Sequence, residues 1–98
     1  MTIDEAVKEF IDVYNNNRKP LDIKRNFYCG ITNNLERRKG EHHVDDFLYS
    51  VECEDFDSAA ELEEKLEEAG FDCGQETGHG KSDTVYVYIY RKTSDTEE

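Results

Sequence analysis

Residues 27–43 read FYCGITNNLERRKGEHH. Phe27, Cys29 and Ile31 alternate with Tyr28, Gly30 and Thr32, which is the period of a strand with one apolar face. The pattern predicts a strand over 23–32. Its second face sets Tyr28 beside Gly30, a place where backbone or ligand can come close. Asn33, with Glu36 three residues on, has the form of a helix start, and a helix is expected over 34–43. Arg38 and His42 are four residues apart and share one face of that helix. A strand, a turn and a cationic helix therefore follow one another within seventeen residues.

Outward from this stretch, the flanking segments supply a small core. Residues 2–17 carry Ile3, Val7, Phe10, Ile11 and Tyr14 at helical spacing. Thr2 and Glu5 form a capping box. Asn15, Asn16 and Asn17, then Pro20, end that helix. Residues 47–53, FLYSVEC, predict a strand with Phe47, Tyr49, Val51 and Cys53 inward. A further helix is expected over 58–69, capped by Ser58 and Glu61, with Ala59, Leu62, Leu66 and Ala69 as its stripe and Gly70 as its C-terminal stop. Residues 70–83, GFDCGQETGHGKSD, read as a Gly-rich loop. Its GKS is not a phosphate loop, because position 75 is Gln where that motif needs Gly, and a strand rather than a helix follows. Residues 84–92, TVYVYIYRK, are the strongest strand pattern in the chain, with Val85, Val87 and Ile89 on one face and Tyr86, Tyr88 and Tyr90 on the other. The tail, 93–98, is acidic and expected to be disordered.

This order predicts an α+β fold in which helices flank a small sheet of about three strands, mixed or antiparallel. Residues 1–92 are expected to make one domain, because 98 residues hold one modest core. Hydrophobic residues are 36% of the chain, and eleven Phe and Tyr rings enlarge what that fraction can bury. No stretch approaches the roughly 20 apolar residues of a membrane span. MTIDEAVKEF is acidic and unlike a signal peptide. A cytoplasmic protein without a membrane partner is the expectation. Cys29, Cys53 and Cys73 suit neither a disulfide framework nor a zinc knuckle. Cys29 and Cys53 read as small buried hydrophobes, and a site of Cys53, Cys73 and His79 carries little weight.

The net charge of −12 is unevenly spread. Residues 18–43 are net +4, whereas residues 44–98 are net −13. Whole-chain acidity opposes non-specific nucleic-acid binding, which depends on neutralising phosphates. The basic segment 18–43 leaves room for a local DNA contact, and the acidic face could meet a protein partner.

Tyr28-Cys29-Gly30, with Arg38 ten residues and His42 fourteen residues after Tyr28, resembles the second half of the GIY-YIG nuclease signature. There a Tyr-Ile-Gly strand end is followed by a helix carrying an Arg and, in many members, a His. Ala59 and Glu63 in AAELE match the Ala-Leu-x-x-Glu setting of that family's metal-binding Glu. The resemblance covers about residues 26–70. It implies a metal-dependent endonuclease that hydrolyses phosphodiesters in DNA. Arg38 would clamp phosphate, Glu63 would hold magnesium or manganese, and Tyr28 and His42 would position water. The first motif, Gly-Ile-Tyr on an upstream strand, is missing. Residues 84–90 could supply that strand from the C-terminal side, with Tyr86 or Tyr88 in place of the missing Tyr. The family's late Asn also lacks a counterpart. Three classes follow: an active nuclease of this type, a GIY-YIG-like fold that has lost catalysis and binds nucleic acid or protein, and an unrelated α+β interaction domain.

Overall fold

The computed structural model describes residues 2–44, 46–74, 85–93 and 96. Helix α1 (Ile3–Asn17) starts as its sequence predicts. The Thr2 hydroxyl accepts the Glu5 N–H at 3.1 Å, and the Glu5 carboxylate accepts the Thr2 N–H at 2.9 Å. Strand β1 (Phe27–Thr32) is shorter than expected. Lys24–Asn26 form a single 3-10 turn instead, because the Asn26 side chain accepts the Ile23 N–H at 2.8 Å and closes the backbone on itself.

Helix α2 (Leu35–His42) is capped by Asn34, not Asn33. The Asn34 side chain accepts the Arg37 N–H at 3.0 Å, while the Thr32 hydroxyl accepts the Asn34 N–H at 3.0 Å and fixes the turn. Strand β2 (Tyr49–Cys53) leads to helix α3 (Phe56–Glu68). Asp55 rather than Ser58 caps α3, its carboxylate accepting the Ser58 N–H at 2.8 Å. Asp and Ser three apart can each serve as a cap, and the earlier start lets Phe56 pack against the core. Gly70 adopts a φ of 115°, which lets the chain leave α3 sharply. Strand β3 (Asp72–Cys73) lies within the stretch read as loop. Two residues are too few to show alternation. Strand β4 (Val85–Arg91) completes the fold.

The sheet order is β2-β4-β1-β3, so the strand latest in sequence lies between two earlier ones. Strand β4 runs antiparallel to both β1 and β2, and β3 runs parallel to β1. The architecture is the expected α+β class with a mixed sheet, of four strands rather than three.

Alternation divides the sheet into two chemistries. Phe27, Cys29, Ile31, Val85, Val87 and Ile89 face α1 and α3, where Phe10, Tyr14, Leu62, Leu66 and Phe71 are buried against them. Tyr28, Tyr88 and Tyr90 face the other way and form a second cluster with Leu35, Val44 and Phe47. The alternation of 47–53 places Phe47 among the inward residues of β2, and the structure differs. Phe47 precedes the strand, and its ring instead stacks on Tyr88 at 4.2 Å between centroids. Cys53 and Cys29 are buried hydrophobes of the main core. Cys53 and Cys73 sit on strands at opposite edges of the sheet, so no site joins them. His79, the GKS stretch and most of the acidic tail lie outside the described residues.

The connection from α1 to β1 is fastened by Asp22. Its carboxylate accepts the Lys19 N–H at 2.8 Å and two guanidinium hydrogen bonds from Arg91 at 2.8 and 2.9 Å. These donors hold the Asp22 carboxyl down at about 2, with Arg91 contributing most. A carboxylate depressed on folding stabilises the native state above its unfolded pKa, and that contribution disappears as the pH falls through the folded value. Urea denaturation should therefore show wild-type stability declining from about pH 4 towards pH 2 through this group. Asp22→Asn should be less stable at neutral pH and lack that component of the acid decline; a variant with wild-type stability throughout would show that the clamp contributes nothing.

Candidate functional site on the tyrosine face

The antiparallel register of β1 and β4 pairs Tyr28 with Tyr90, Gly30 with Tyr88 and Thr32 with Tyr86. Gly30 is what lets Tyr88 lie across β1. A Cβ on residue 30 would collide with the Tyr88 hydroxyl and would stand 2.6 Å from Cζ and 3.1 Å from Cε2. The Tyr28 hydroxyl lies in the same way over Gly74, just past the end of β3.

Helix α2 covers this face. Its last turn buries His42 between two tyrosines, with Nε2 2.7 Å from the Tyr88 hydroxyl and Nδ1 3.0 Å from the Tyr90 hydroxyl. The imidazole also packs against Tyr28, with centroids 5.2 Å apart. One turn earlier, Arg38 interacts electrostatically with the Tyr88 hydroxyl and donates to Glu41 Oε1 at 2.9 Å. A guanidinium only donates, so its positive charge is drawn to the oxygen of Tyr88 and not to its proton. Which of the two His42 contacts the ring donates and which it accepts is set by its tautomer. Tyr88, Arg38 and His42 thus form a proton-holding group beside a fixed positive charge.

Burial pushes the Tyr88 hydroxyl up to about 12. Arg38 opposes that shift, while Glu63 and Cys29 add to it. Glu63, on α3, is half-buried. Its Oε2 is buried and has no hydrogen-bond partner among the described residues. Burial, with Glu67 adding repulsion, pushes its carboxyl up to about 7. The charge on Glu63 raises Tyr88 and Cys29 alike, which places it in electrical reach of the tyrosine cluster from the helix layer.

Of the residues singled out in the sequence, the fold brings Tyr28, Arg38, His42 and Tyr88 together, and Glu63 acts on the group electrically. Tyr86 stands apart. It is half-buried, opposite Thr32 and Glu52, outside the cluster of Tyr28, Tyr88 and Tyr90. Tyr90 is the residue that motif reading passes over, although its alternation with Tyr88 puts it on the same face. Among the described residues, no group of three or more His, Cys, Asp or Glu could hold a metal. A lone carboxylate with an unpartnered buried oxygen fits a different arrangement, a hard divalent cation held largely by water and substrate oxygens.

Comparison with family models, curated proteins and solved structures gives no match to this chain. No helix among the described residues is long and apolar enough to cross a membrane.

Two outcomes follow from this geometry. Gly30→Ala should lose about 1–3 kcal/mol in urea denaturation, because the buried Tyr88 ring must shift; a loss below about 0.5 kcal/mol would mean that the ring is not held over Gly30. Glu63, raised on folding, favours the native state at low pH and costs stability as the pH rises through about 7. Glu63→Gln should flatten that fall. At pH 8 it should gain on the order of 1 kcal/mol over wild type, the full shift being discounted for the half-exposed position.

Proposed function

We propose that the chain is a GIY-YIG-like domain whose first strand is supplied from the C-terminal side, and that it hydrolyses phosphodiester bonds in DNA with a divalent metal, magnesium or manganese. The observation that carries this reading is the meeting of Arg38 and His42 at the hydroxyl of Tyr88, on a strand paired directly beside the Tyr28-Cys29-Gly30 strand. The resemblance lacks a tyrosine-bearing strand at that position, and β4 supplies one.

In this reading Arg38 turns from Glu41 to a phosphate oxygen and stabilises the charge that develops there. Tyr28 positions the attacking water directly and His42 does so through the Tyr88 hydroxyl: as the water gives a proton to Tyr88, Tyr88 gives its own to the Nε2 of His42. Tyr90 keeps the imidazole oriented. Glu63 would hold the metal, which offsets phosphate charge and polarises the scissile bond. The orphaned Oε2 supports that role, since a cation beside it would remove the cost of its burial.

A second reading has its own support. His42 is 3% exposed, Tyr88 is 0% and Tyr90 is 1%. That burial suits a hydrogen-bonded aromatic core, retained in a fold that binds nucleic acid or protein without cutting. Cleavage of plasmid, branched and single-stranded DNA with magnesium or manganese separates the two. The nuclease reading expects metal-dependent cleavage by wild type, with losses of 100-fold or more, roughly, in Arg38→Ala and Glu63→Ala. Wild type that leaves every substrate intact, or cleavage that survives both substitutions, would overturn it.

A further inference from the structure

The fold separates the three cysteines into one that stands alone and two that meet. The parallel register of β1 and β3 makes Cys29 and Cys73 direct partners, although α2, β2 and α3 lie between them in sequence. Adjacent strands stand about 4.7–4.9 Å apart, and side chains at paired positions leave the sheet on the same side. Cys29 is buried in the main core, and Cys73 packs against that core. The Cys73 Sγ lies 3.7 Å from the carbonyl oxygen of Glu63 on α3, so it points into the helix layer, as the Cys29 side chain does. The two thiols interact electrostatically. A disulfide needs Cα atoms about 4.4–6.8 Å apart and side chains that converge. Paired positions on neighbouring strands meet the first condition, and a shared face meets the second. Cys53 meets neither. It pairs with Val85 while Cys29 pairs with Ile89, so β4 stands between them and the two are offset along it.

The pairing is held on both sides of Cys73. The Gly74 N–H donates to the Cys29 carbonyl at 3.3 Å. Asp72 accepts from Lys92 Nζ at 2.7 Å and lies 3.6 Å from Arg25. A two-residue strand is thereby fixed in one register, and the two sulfurs with it. The thiols differ in access. Cys29 is 0% exposed, whereas Cys73 is half-buried. Burial above all, with Cys73 adding to it, pushes the Cys29 thiol well above its ordinary pKa. Cys29 therefore stays a thiol, out of reach of an oxidant in solution, until its neighbour has reacted.

We propose that Cys29 and Cys73 form a reversible two-electron redox pair whose oxidant is a hydroperoxide, with Cys73 as the sulfur that meets it and Cys29 as the sulfur that resolves it. The Cys73 sulfur attacks one peroxide oxygen. An S–O bond forms, the O–O bond breaks, and the thiol proton leaves with the departing oxygen as water or an alcohol. The Cys29 sulfur then displaces the remaining oxygen from Cys73. An S–S bond forms, the S–O bond breaks, and the Cys29 proton leaves with that oxygen as water. Two thiols lose two electrons and the peroxide gains them. A small dithiol reverses the bond by exchange, its own sulfurs becoming the disulfide. The bond ties β1, which carries Tyr28 and Gly30, to the strand that sets Gly74 beneath the Tyr28 hydroxyl. The pair does not depend on the cleavage of DNA.

Trypsin places the three cysteines on separate peptides, 26–37, 40–65 and 66–81. The test exposes the reduced full chain to hydrogen peroxide, alkylates the thiols that remain and maps the peptides without reduction. Wild type should lose two hydrogens, join 26–37 to 66–81 and keep Cys53 as its alkylated thiol. Dithiothreitol should return all three thiols. The same treatment in urea should favour links to Cys53, which lies closer in sequence to each of the other two than they do to one another. Cys73→Ser should slow the oxidation of Cys29 at least about tenfold. Cys29→Ala should stop at a sulfenic acid on Cys73 that dimedone traps. Because Cys29 is a core residue whose variant can fail to fold, the wild-type map and Cys73→Ser decide the outcome without it. Native links to Cys53, the same single link in urea, three free thiols after prolonged excess peroxide, or oxidation of Cys29 that Cys73→Ser leaves unchanged would each overturn the pair.

Discussion

The pairing of β4 with β1 is the constraint on which the rest of this structure depends. It is antiparallel and in a single register, so it places valines and isoleucine over the helices and tyrosines over α2 in one step. A slip of one residue would exchange the two faces and put hydroxyls into the apolar core. Gly30 helps to hold the register, because among the residues of β1 only a glycine opposite Tyr88 leaves room for its ring to cross the strand. Core and candidate site are thus two consequences of the same ladder.

Electrostatics inside the chain temper a simple reading of its charge. Much of the basic segment meets acids of the same molecule. Arg25 lies 3.6 Å from Asp72, Arg37 and Arg38 face Glu41, and Lys39 is 2.7 Å from Glu36 and 3.6 Å from Asp46. Exposed pairs of this kind add little stability each and dissolve in salt. They can exchange a carboxylate for a phosphate at small cost, which suits either a nucleic-acid surface or a face held in check until a partner arrives. Asp22 differs from them. Its bidentate contact with Arg91 joins residues far apart in sequence and fastens the entry to β1 to the exit of β4.

What the sequence made legible follows from repetition. Helix α1, with its capping box, and strand β4, with its two alternating faces, each carry many residues that agree with one another. The elements that shifted rest on single side chains. Asn34 and Asp55 took the caps expected of Asn33 and Ser58, since neighbouring Asx and Ser residues compete for the same N–H groups. Strand β3 has two residues, and only the free edge of β1 makes it a strand. At the candidate site, spacing alone placed Arg38 and His42 on one face of a helix. Tyr88 over Tyr86 was decided by register, which no local pattern encodes. The two hydrogen bonds of His42 depend on the same register, and Tyr90 becomes visible only once β4 is laid beside β1.

The sheet order carries a further consequence for how the molecule comes into being. Strands β1, β2 and β3 are not joined to one another except through β4 or through a two-residue edge. As the chain leaves the ribosome, α1, β1, α2, β2 and α3 all emerge before the strand that unites them. Strands β1 and β2 must wait for the last strand of the sheet. The helices can meet β1, β3 and each other before that, but the sheet itself closes only with this last pairing, so much of its burial comes late.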